Sequence, residues 1–178
     1  MKLLQSYLVA FILVIASSCS QTESKGPAII ENTFDNLFGW TPDFTVSKDY
    51  QNSGMYSYHI KNGYEYTVGY SANVAQTIPE NTRSITIEYD LYPLNANTDF
   101  LWVFEIIRPD NTRVLWKACE SKDQIKESKK WTTVSTKFEL PATVGKDFIV
   151  KSYGWSRNKG EYYLDNLKIY ADEEQDKK

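Results

Sequence analysis

The sequence is poor in the residues on which most metal sites and nucleophilic active sites depend. His59 is the only histidine, so a serine–histidine–aspartate triad has a single possible centre. The two cysteines, Cys19 and Cys119, are far apart in the chain, and neither a CxxC nor an HExxH motif occurs. Phosphate-binding glycine motifs are also absent. These absences argue against zinc, iron and nucleotide-binding proteins.

An excess of basic residues is missing as well. The formal net charge is −3, and residues 1–18 contribute one lysine, Lys2, and no acidic residue. A chain with this charge offers no basic surface for nucleic acid or for anionic lipid. We therefore expect no nucleic-acid partner.

No apolar run is long enough to span a bilayer, since the longest covers only Leu8 to Ala16. It follows a basic start, Met1-Lys2, and precedes the small residues Ala16-Ser17-Ser18, which together predict a secretory signal peptide. The sequence Ala-Ser-Ser-Cys resembles the lipobox of bacterial lipoproteins. That resemblance implies that Cys19 is lipidated and becomes the mature N-terminus. An ordinary signal peptide followed by a coincidental cysteine is the alternative.

A lipidated Cys19 implies a protein anchored in the bacterial cell envelope, at the outer membrane and facing the periplasm or the surface. It also leaves Cys119 without a disulfide partner in a compartment that permits disulfides. Cys119 ends the apolar run Val114–Cys119, where a free cysteine behaves as a small hydrophobe.

The chain is rich in aromatic residues, with 13 Tyr, 8 Phe and 5 Trp, and these favour β-strands. Ile85 to Leu91 alternate apolar and polar residues with a period of two, whereas Phe100 to Ile107 are apolar on both faces. Arg108 to Asn111 predict a turn that joins this strand to Arg113–Cys119 in a hairpin. Further strands are predicted at 29–34, 44–47, 56–60, 70–78, 132–140, 148–153 and 162–170.

These short strands, with almost no helix, predict an all-β sandwich. The charged stretch Ser121–Lys130 is expected to be a surface loop with at most one helical turn. The predicted organisation is a signal peptide at 1–18, lipidated Cys19 and a flexible tether at 19–28, a β-sandwich at 29–170 and a disordered polar tail at 171–178.

Four segments, taken in order, resemble one family. Residues 31–40 (ENTFDNLFGW), 53–60 (SGMYSYHI), 130–141 (KWTTVSTKFELP) and 162–169 (YYLDNLKI) are similar to motifs of carbohydrate-binding modules with a galactose-binding-like jelly roll. The resemblance covers most of residues 30–170. It implies a jelly-roll fold and a poly- or oligosaccharide ligand, and it gives Trp40 and Trp131 structural roles.

Sugar rings present apolar C–H faces flanked by hydroxyls, so their sites combine flat aromatic rings with polar side chains. Trp102 and Trp116 lie on the two arms of the predicted hairpin, and either or both could instead belong to the core. Trp155, with Arg157 and Asn158 close behind it, is predicted in a loop between the last two strands, where it can act as a stacking platform. The alternative is a ring that folds back over the sandwich edge.

A second aromatic cluster contains Tyr64, Tyr66 and Tyr70. It is expected either to line a cleft or to stack on itself in a hairpin. The family resemblance also implies a structural calcium ion held near the first and last strands, with Asp35 and Asp165 at the matching positions. Asn166 replaces the second acidic residue of the closing motif.

The sequence therefore predicts an envelope-anchored carbohydrate-binding lipoprotein that catalyses nothing and captures a glycan by aromatic stacking. One alternative is an interaction subunit that docks another envelope protein. Another is a small glycan lyase or hydrolase built on paired carboxylates, for which Glu88 and Glu105 are the candidates.

Overall fold

Two antiparallel β-sheets packed against each other form the domain in the computed structural model, which describes residues 25–35 and 46–173. The elements, in chain order, are β1 (Ala28–Asn32), β2 (Val46–Ser47), β3 (Ser57–Ile60), β4 (Tyr66–Asn73), α1 (Val74–Thr77), β5 (Thr82–Pro93), β6 (Phe100–Ile107), β7 (Arg113–Glu120), β8 (Thr132–Glu139), β9 (Ile149–Ser156) and β10 (Tyr162–Glu173). The all-β sandwich predicted from the sequence is confirmed. The signal peptide, Cys19 and Trp40 lie outside the described residues, so the expectations for them stay predictions.

The larger sheet has six strands, with β2-β3-β10-β5-β8 as its main order. Strand β5 pairs with β10 along most of its length, from Tyr162↔Pro93 to Glu173↔Thr82. The other edge of β10 is shared, because β3 pairs with its first residues and β1 with residues 167–170. The first and last strands of the domain are therefore hydrogen-bonded neighbours.

The smaller sheet has four strands in the order β4-β9-β6-β7. Its centre is β6, which pairs with β9 on one side and with β7 on the other. The pair β6–β7 is the hairpin predicted from the sequence, and Asn111 in its turn has a left-handed φ of 66°.

The core between the sheets is built from side chains that alternate along the strands. In β5 the residues Ile85, Ile87, Tyr89 and Leu91 are fully buried, as their period of two predicts. In β6 the inward set is Phe100, Trp102, Phe104 and Ile106. The opposite set of β6, which includes Leu101 and Val103, faces away from the core.

Strand β4 differs from the prediction, which placed it at residues 70–78. It begins at Tyr66 and ends at Asn73, and the one-turn helix α1 follows. Val74 and Ile78 are both nearly buried, and Ile78 N–H donates to the Val74 carbonyl at 2.8 Å. Packing of this turn against the end of the sandwich outweighs the β propensity of the segment.

The domain also extends beyond the predicted boundary at residue 170. Ala171 packs against the core, and the Asp172 carboxylate accepts hydrogen bonds from Ser84 Oγ at 3.3 Å and Thr86 Oγ1 at 3.1 Å. Residues 171–173 thus belong to β10 and not to a disordered tail, because they pair with residues 82–85 of β5.

The environment of Cys119 agrees with the sequence-based expectation. Cys119 is a free cysteine with no exposed surface, on the core side of β7. Burial raises the pKa of its thiol to about 11. Such a thiol is almost entirely protonated at neutral pH and is therefore inert.

Candidate functional site

The outer face of the four-stranded sheet carries a group of aromatic side chains. Antiparallel partners share a face, and the register aligns Tyr66 of β4 with Trp155 of β9 and then with Leu101 of β6. Two residues further along, Tyr153 of β9 opposes Val103. Trp116 of β7 opposes Glu105 on the same outer side. We call this surface, with Tyr66, Tyr153, Trp155 and Trp116, the aromatic face.

The ring of Tyr66 contacts two of the other rings, those of Trp155 and Tyr153. The centroids of Tyr66 and Trp155 are 6.1 Å apart with an interplanar angle of 21°, and Tyr66 meets Tyr153 edge-on at 6.1 Å. Tyr66 is 55% exposed, whereas Trp155 and Tyr153 are half-buried. Neighbouring rings support one another, so they form a prearranged platform.

The centre of the aromatic face is sealed. Leu101 and Val103 point outward from β6, yet neither has any exposed surface. The larger side chains of β9 and β7 flank them in the register. A ligand on this face would therefore contact the aromatic rings and not the side chains of Leu101 and Val103.

Charged groups lie beside Trp116, in the same row of residues across the sheet. Glu105 is 7% exposed and accepts a hydrogen bond from Arg113 Nε at 3.1 Å. Lys151 of β9 is opposite Glu105 on its other side. A fixed carboxylate between two cations and a tryptophan provides both donors and acceptors for hydroxyl groups.

Trp102 does not belong to this site, and its assignment as a binding residue is corrected here. Its ring has no exposed surface, and its Nε1–H donates to Ser152 Oγ at 2.7 Å inside the core. Both faces of β6 are apolar, so the sequence pattern could not show which face is interior. The structure turns the three rings of β6 inward together with Ile106, and it turns Leu101 and Val103 outward.

Trp116 and Trp155 both lie on the aromatic face, but Trp155 belongs to strand β9 and not to a loop, as was predicted. Its Nε1 is buried and has no hydrogen-bond partner among the described residues. Such an unpaired donor is uncommon in a protein interior. The sequence contained a signal for the Tyr153 ring, since Tyr153 and Trp155 are two residues apart and must share a face of any strand.

Arg157 and Asn158 follow directly after β9 and are occupied by contacts with the neighbouring loop. Arg157 binds Asp99 at 2.7 Å and Glu120 at 2.9 Å. Asn158 Nδ2 donates to the Asn97 carbonyl, and its Oδ1 accepts from Gly160 N–H at 3.2 Å. Both residues are exposed at the end of the aromatic face beside Trp155, where they fix the loops.

Tyr153 and Lys151 are residues of this face that the sequence did not single out. Tyr66 was predicted only as part of a cluster that could line a cleft, and Glu105 only as a candidate catalytic carboxylate. The predicted cluster of Tyr64, Tyr66 and Tyr70 is divided by the structure. Tyr66 joins the aromatic face, Tyr70 packs against the core, and Tyr64 is 62% exposed.

The two predicted calcium ligands both hold the segment Asn52–Tyr56. Asp35 Oδ1 accepts hydrogen bonds from the backbone N–H groups of Met55 and Tyr56, at 2.8 and 2.9 Å. Buried Asp165 accepts two more through Oδ2, from the N–H groups of Asn52 and Ser53. Within residues 25–35 and 46–173, no three metal-binding side chains cluster. The carboxylate oxygens have further lone pairs, so these contacts leave calcium binding as a prediction.

The outer face of the six-stranded sheet also has an aromatic cluster. Tyr50 stacks on Tyr92 with 4.6 Å between centroids, and Trp131 lies against Tyr92 at 5.5 Å. His59 stacks on Tyr163 at 4.4 Å, and its Nε2 is 2.7 Å from the Glu161 carboxylate. These rings pack on one another and secure the segment that contains Tyr50.

The paired-carboxylate alternative fails for Glu88 and Glu105. Glu88 lies on the outer face of the six-stranded sheet and is bound by Lys25, whereas Glu105 lies on the outer face of the four-stranded sheet. Stacked sheets are about 10 Å apart before the outward side chains are counted. Glycosidase carboxyl groups are at most about 9.5 Å apart, so these two cannot act on one bond.

In the part of the chain that the structure describes, no helix has the length and apolar character needed to cross a membrane. No protein-family model matches the sequence, and no curated protein matches it.

The fold itself is that of the all-β jelly-roll carbohydrate-binding modules. One similar structure is the CBM22-1 xylan-binding domain of Xyn10C from Paenibacillus barcinonensis, with a TM-score of 0.58 and 18% identity over 85% of this chain and 98% of that domain. The C-terminal family 22 module of Xyn10B from Clostridium thermocellum gives a TM-score of 0.52 with 14% identity, covering 81% of this chain and 92% of that one. A family 16 carbohydrate-binding module gives 0.57 and 14%, covering 80% and 99%.

Proposed function

We propose that this protein is a non-catalytic carbohydrate-binding lipoprotein of the bacterial cell envelope, and that its aromatic face holds a poly- or oligosaccharide. The observation that carries the proposal is the platform of Tyr66, Trp155 and Tyr153, supported on a rigid sheet. Flat rings of this kind complement the apolar face of a pyranose. Their mutual contacts reduce the entropy that is lost on binding.

The charged groups beside Trp116 complement the rings. Glu105 is held by Arg113 before any ligand arrives, so its free lone pairs are positioned to accept sugar hydroxyls. Lys151 provides donors on the other side of Glu105. Hydroxyls that bind these groups would fix the orientation of a sugar whose ring stacks on a neighbouring aromatic side chain.

The dimensions of the face favour a chain of sugars over a single one. Trp116 lies two strands across from Trp155 and four residues further along the sheet. At standard strand spacings this places the two backbone positions about 16 Å apart. A ligand that contacts both rings must extend over several sugar units.

The class of ligand is also supported by one of the similar structures, the module of Xyn10C from Paenibacillus barcinonensis, whose name describes it as a xylan-binding domain. At 18% identity or less these similarities define the fold alone, so xylan is the first candidate to test and not an established ligand.

The proposed anchor is a lipid on Cys19, supported by the signal peptide and the lipobox-like sequence before it. Radiolabelled palmitate supplied to expressing bacteria should label the protein and should not label a Cys19→Ser variant. Labelling of neither would contradict the anchor without affecting the binding proposal.

A structural calcium ion near Asp35 and Asp165 remains part of the proposal. Calcium needs six to eight oxygens. Carbonyl groups of the segment Asn52–Tyr56, which Asp35 and Asp165 hold, can supply those that carboxylates do not. Calcium should raise the melting temperature of EDTA-treated protein, and this increase should be smaller in an Asp35→Asn variant. An unchanged melting temperature would exclude the ion.

A glycan array, probed with and without calcium, tests the proposed function directly. Selective binding that falls at least about tenfold in Trp155→Ala and in Trp116→Ala is expected. Trp131→Ala is the matched control, because Trp131 is also half-buried but lies against Tyr92 on the opposite sheet. A blank array with folded protein would overturn glycan capture. A pull-down from envelope extract would then test the protein-interaction alternative.

A further inference from the structure

Lys151, on the outer side of β9, differs from the other cations of the aromatic face in having no anionic partner. Arg113 is bound to Glu105 at 3.1 Å, and Arg157, just beyond β9, is bound to two carboxylates at 2.7 and 2.9 Å. The Lys151 ammonium forms neither an ion pair nor a hydrogen bond with any residue in the described ranges 25–35 and 46–173. Its charge is therefore available to a ligand.

The position of Lys151 is central on the aromatic face. It lies two residues from Tyr153 on the same side of β9, about 7 Å along the strand. It also lies in the same row as Trp116, two strands away. A glycan that contacts both the platform and Trp116 must therefore pass beside Lys151. The side chain is half-buried, as is usual for a lysine whose aliphatic part packs on a sheet while its ammonium stays in water.

The edge strand β4 adds a hydroxyl group and an open space next to Lys151. Ser71 pairs with Lys151, and Gly69 pairs with Tyr153. Ser71 is exposed, and its hydroxyl has no hydrogen-bond partner in the part of the chain that the structure describes. Because Gly69 has no side chain, the surface beside the Tyr153 ring is open on this edge. An aromatic ring, an ammonium and a hydroxyl thus surround one open position.

We propose that Lys151 makes the aromatic face selective for acidic glycans, an inference that rests on the proposed function and names the chemical class of its ligand. The carboxylate or sulfate of one sugar unit would bind Lys151 and Ser71. Both anionic groups accept hydrogen bonds and donate none, which matches these two donors. A neutral glycan would cover the ammonium without supplying an opposite charge, which is costly.

The neighbouring charges do not cancel that of Lys151. Glu105 is opposite Lys151 in the register, but its nearly buried carboxylate is already held by Arg113. These three side chains together leave one positive charge. The excess of negative charge lies around Arg157, next to Trp155, which is four strand residues or about 13 Å from Lys151. This distance exceeds the screening length of about 8 Å at physiological ionic strength, so an anionic group is favoured at Lys151.

The experiment is a calorimetric titration with three pairs of oligosaccharides. The acidic members are xylotetraose bearing one glucuronate, trigalacturonate and a sulfated galactan tetrasaccharide. Each neutral member is the same compound after carboxyl reduction or desulfation. In at least one pair the acidic member should bind at least about tenfold more tightly than the neutral one, as expected for an ion pair in a partly desolvated site.

Lys151→Met should reduce this preference to less than about twofold by weakening the acidic member alone, whereas Lys151→Arg should retain it. A purely structural effect would weaken both members equally. Lys168→Met is the matched control, because Lys168 carries the same charge on the opposite sheet, where it binds Glu31 at 3.4 Å. Its removal should leave both affinities unchanged.

Equal affinity for the two members of every pair would overturn the proposal, as would no binding of any member. A preference for the acidic member that persists in Lys151→Met would also overturn it, since the anionic group would then bind elsewhere. A preference confined to the carboxylate pairs would identify a uronate, and one confined to the sulfate pair a sulfated sugar; both results support the proposal. Neutral glycans that bind the parent but not Trp155→Ala would preserve the proposed function even if this selectivity fails.

Discussion

The same substitution, tryptophan to phenylalanine, should have opposite consequences at Trp102 and at Trp155. Trp102 is fully buried and donates to Ser152 Oγ at 2.7 Å, whereas Trp155 is half-buried and its Nε1 has no hydrogen-bond partner among the described residues. Trp102→Phe therefore removes a hydrogen bond and leaves a cavity in the core. Trp155→Phe removes neither a hydrogen bond nor core volume.

The magnitude follows from these contacts. Loss of the Trp102 hydrogen bond costs about 1 kcal/mol, because Ser152 Oγ keeps its own bond to the Val103 carbonyl at 3.1 Å. The smaller ring and the unfilled volume add about 1–2 kcal/mol. We expect the free energy of unfolding to fall by about 2–3 kcal/mol in Trp102→Phe and by less than about 1 kcal/mol in Trp155→Phe.

The assay is urea denaturation monitored by far-UV circular dichroism, because both substitutions change the fluorescence. A lower midpoint with an unchanged m-value in Trp102→Phe would agree with a loss of native-state stability. Glycan affinity, measured on the same proteins under native conditions, should stay the same in Trp102→Phe and should decrease in Trp155→Ala. If Trp102→Phe unfolds at the parental midpoint, or if it alone lowers glycan affinity, the assignment of the two tryptophans is wrong.

Three further predictions concern other parts of the fold. Gly54→Ala should destabilise the protein by at least about 1 kcal/mol, because φ is +59° and a Cβ would overlap the Asp35 carboxylate. In a thermal denaturation series, an Asp35→Ala background should reduce this cost, and a fully additive double mutant would contradict the reasoning. Cys119 should react with iodoacetamide only after unfolding, because burial raises its thiol pKa to about 11. Rapid labelling of the native protein at pH 8 would refute this. Burial raises the pKa of Asp165, so its contribution to stability is present at acid pH and is lost as pH rises through the folded pKa. The free energy of unfolding of the parent, relative to that of Asp165→Asn, should therefore decrease from pH 4 to pH 7.5. An increase over this range would show that the pKa of Asp165 is lowered and not raised.

The β-sandwich could be predicted from local pattern because strand periodicity and turn chemistry act over short segments. Ile85 to Leu91 alternate apolar and polar residues, and the fully buried positions are the apolar ones. Arg108 to Asn111 predict the turn of the β6–β7 hairpin, and the register of that hairpin follows. The resemblance of four ordered segments added the jelly-roll fold, which the similar structures confirm.

Local pattern failed where long-range packing decides the conformation. Residues 74–77 resemble a strand in sequence but form a helical turn, since that turn buries Val74 at the end of the sandwich. Trp155 was predicted in a loop, yet pairing with Tyr66 and Leu101 keeps it in β9. No local signal reveals a partner strand that is distant in the chain.

The sequence by itself determined the fold class, the hairpin and the inert surroundings of Cys119. It also supplied the abundance of aromatic residues on which the glycan-binding hypothesis depends. Only the tertiary structure decided which of those aromatic rings face solvent. Alternation divides a strand into two faces, but the face that becomes interior depends on the sheet packed against it. Trp102 and Trp116 belong to one hairpin and look equivalent in sequence. The six-stranded sheet covers the first, and nothing among the described strands covers the second, so one tryptophan stabilises the core and the other keeps an exposed surface.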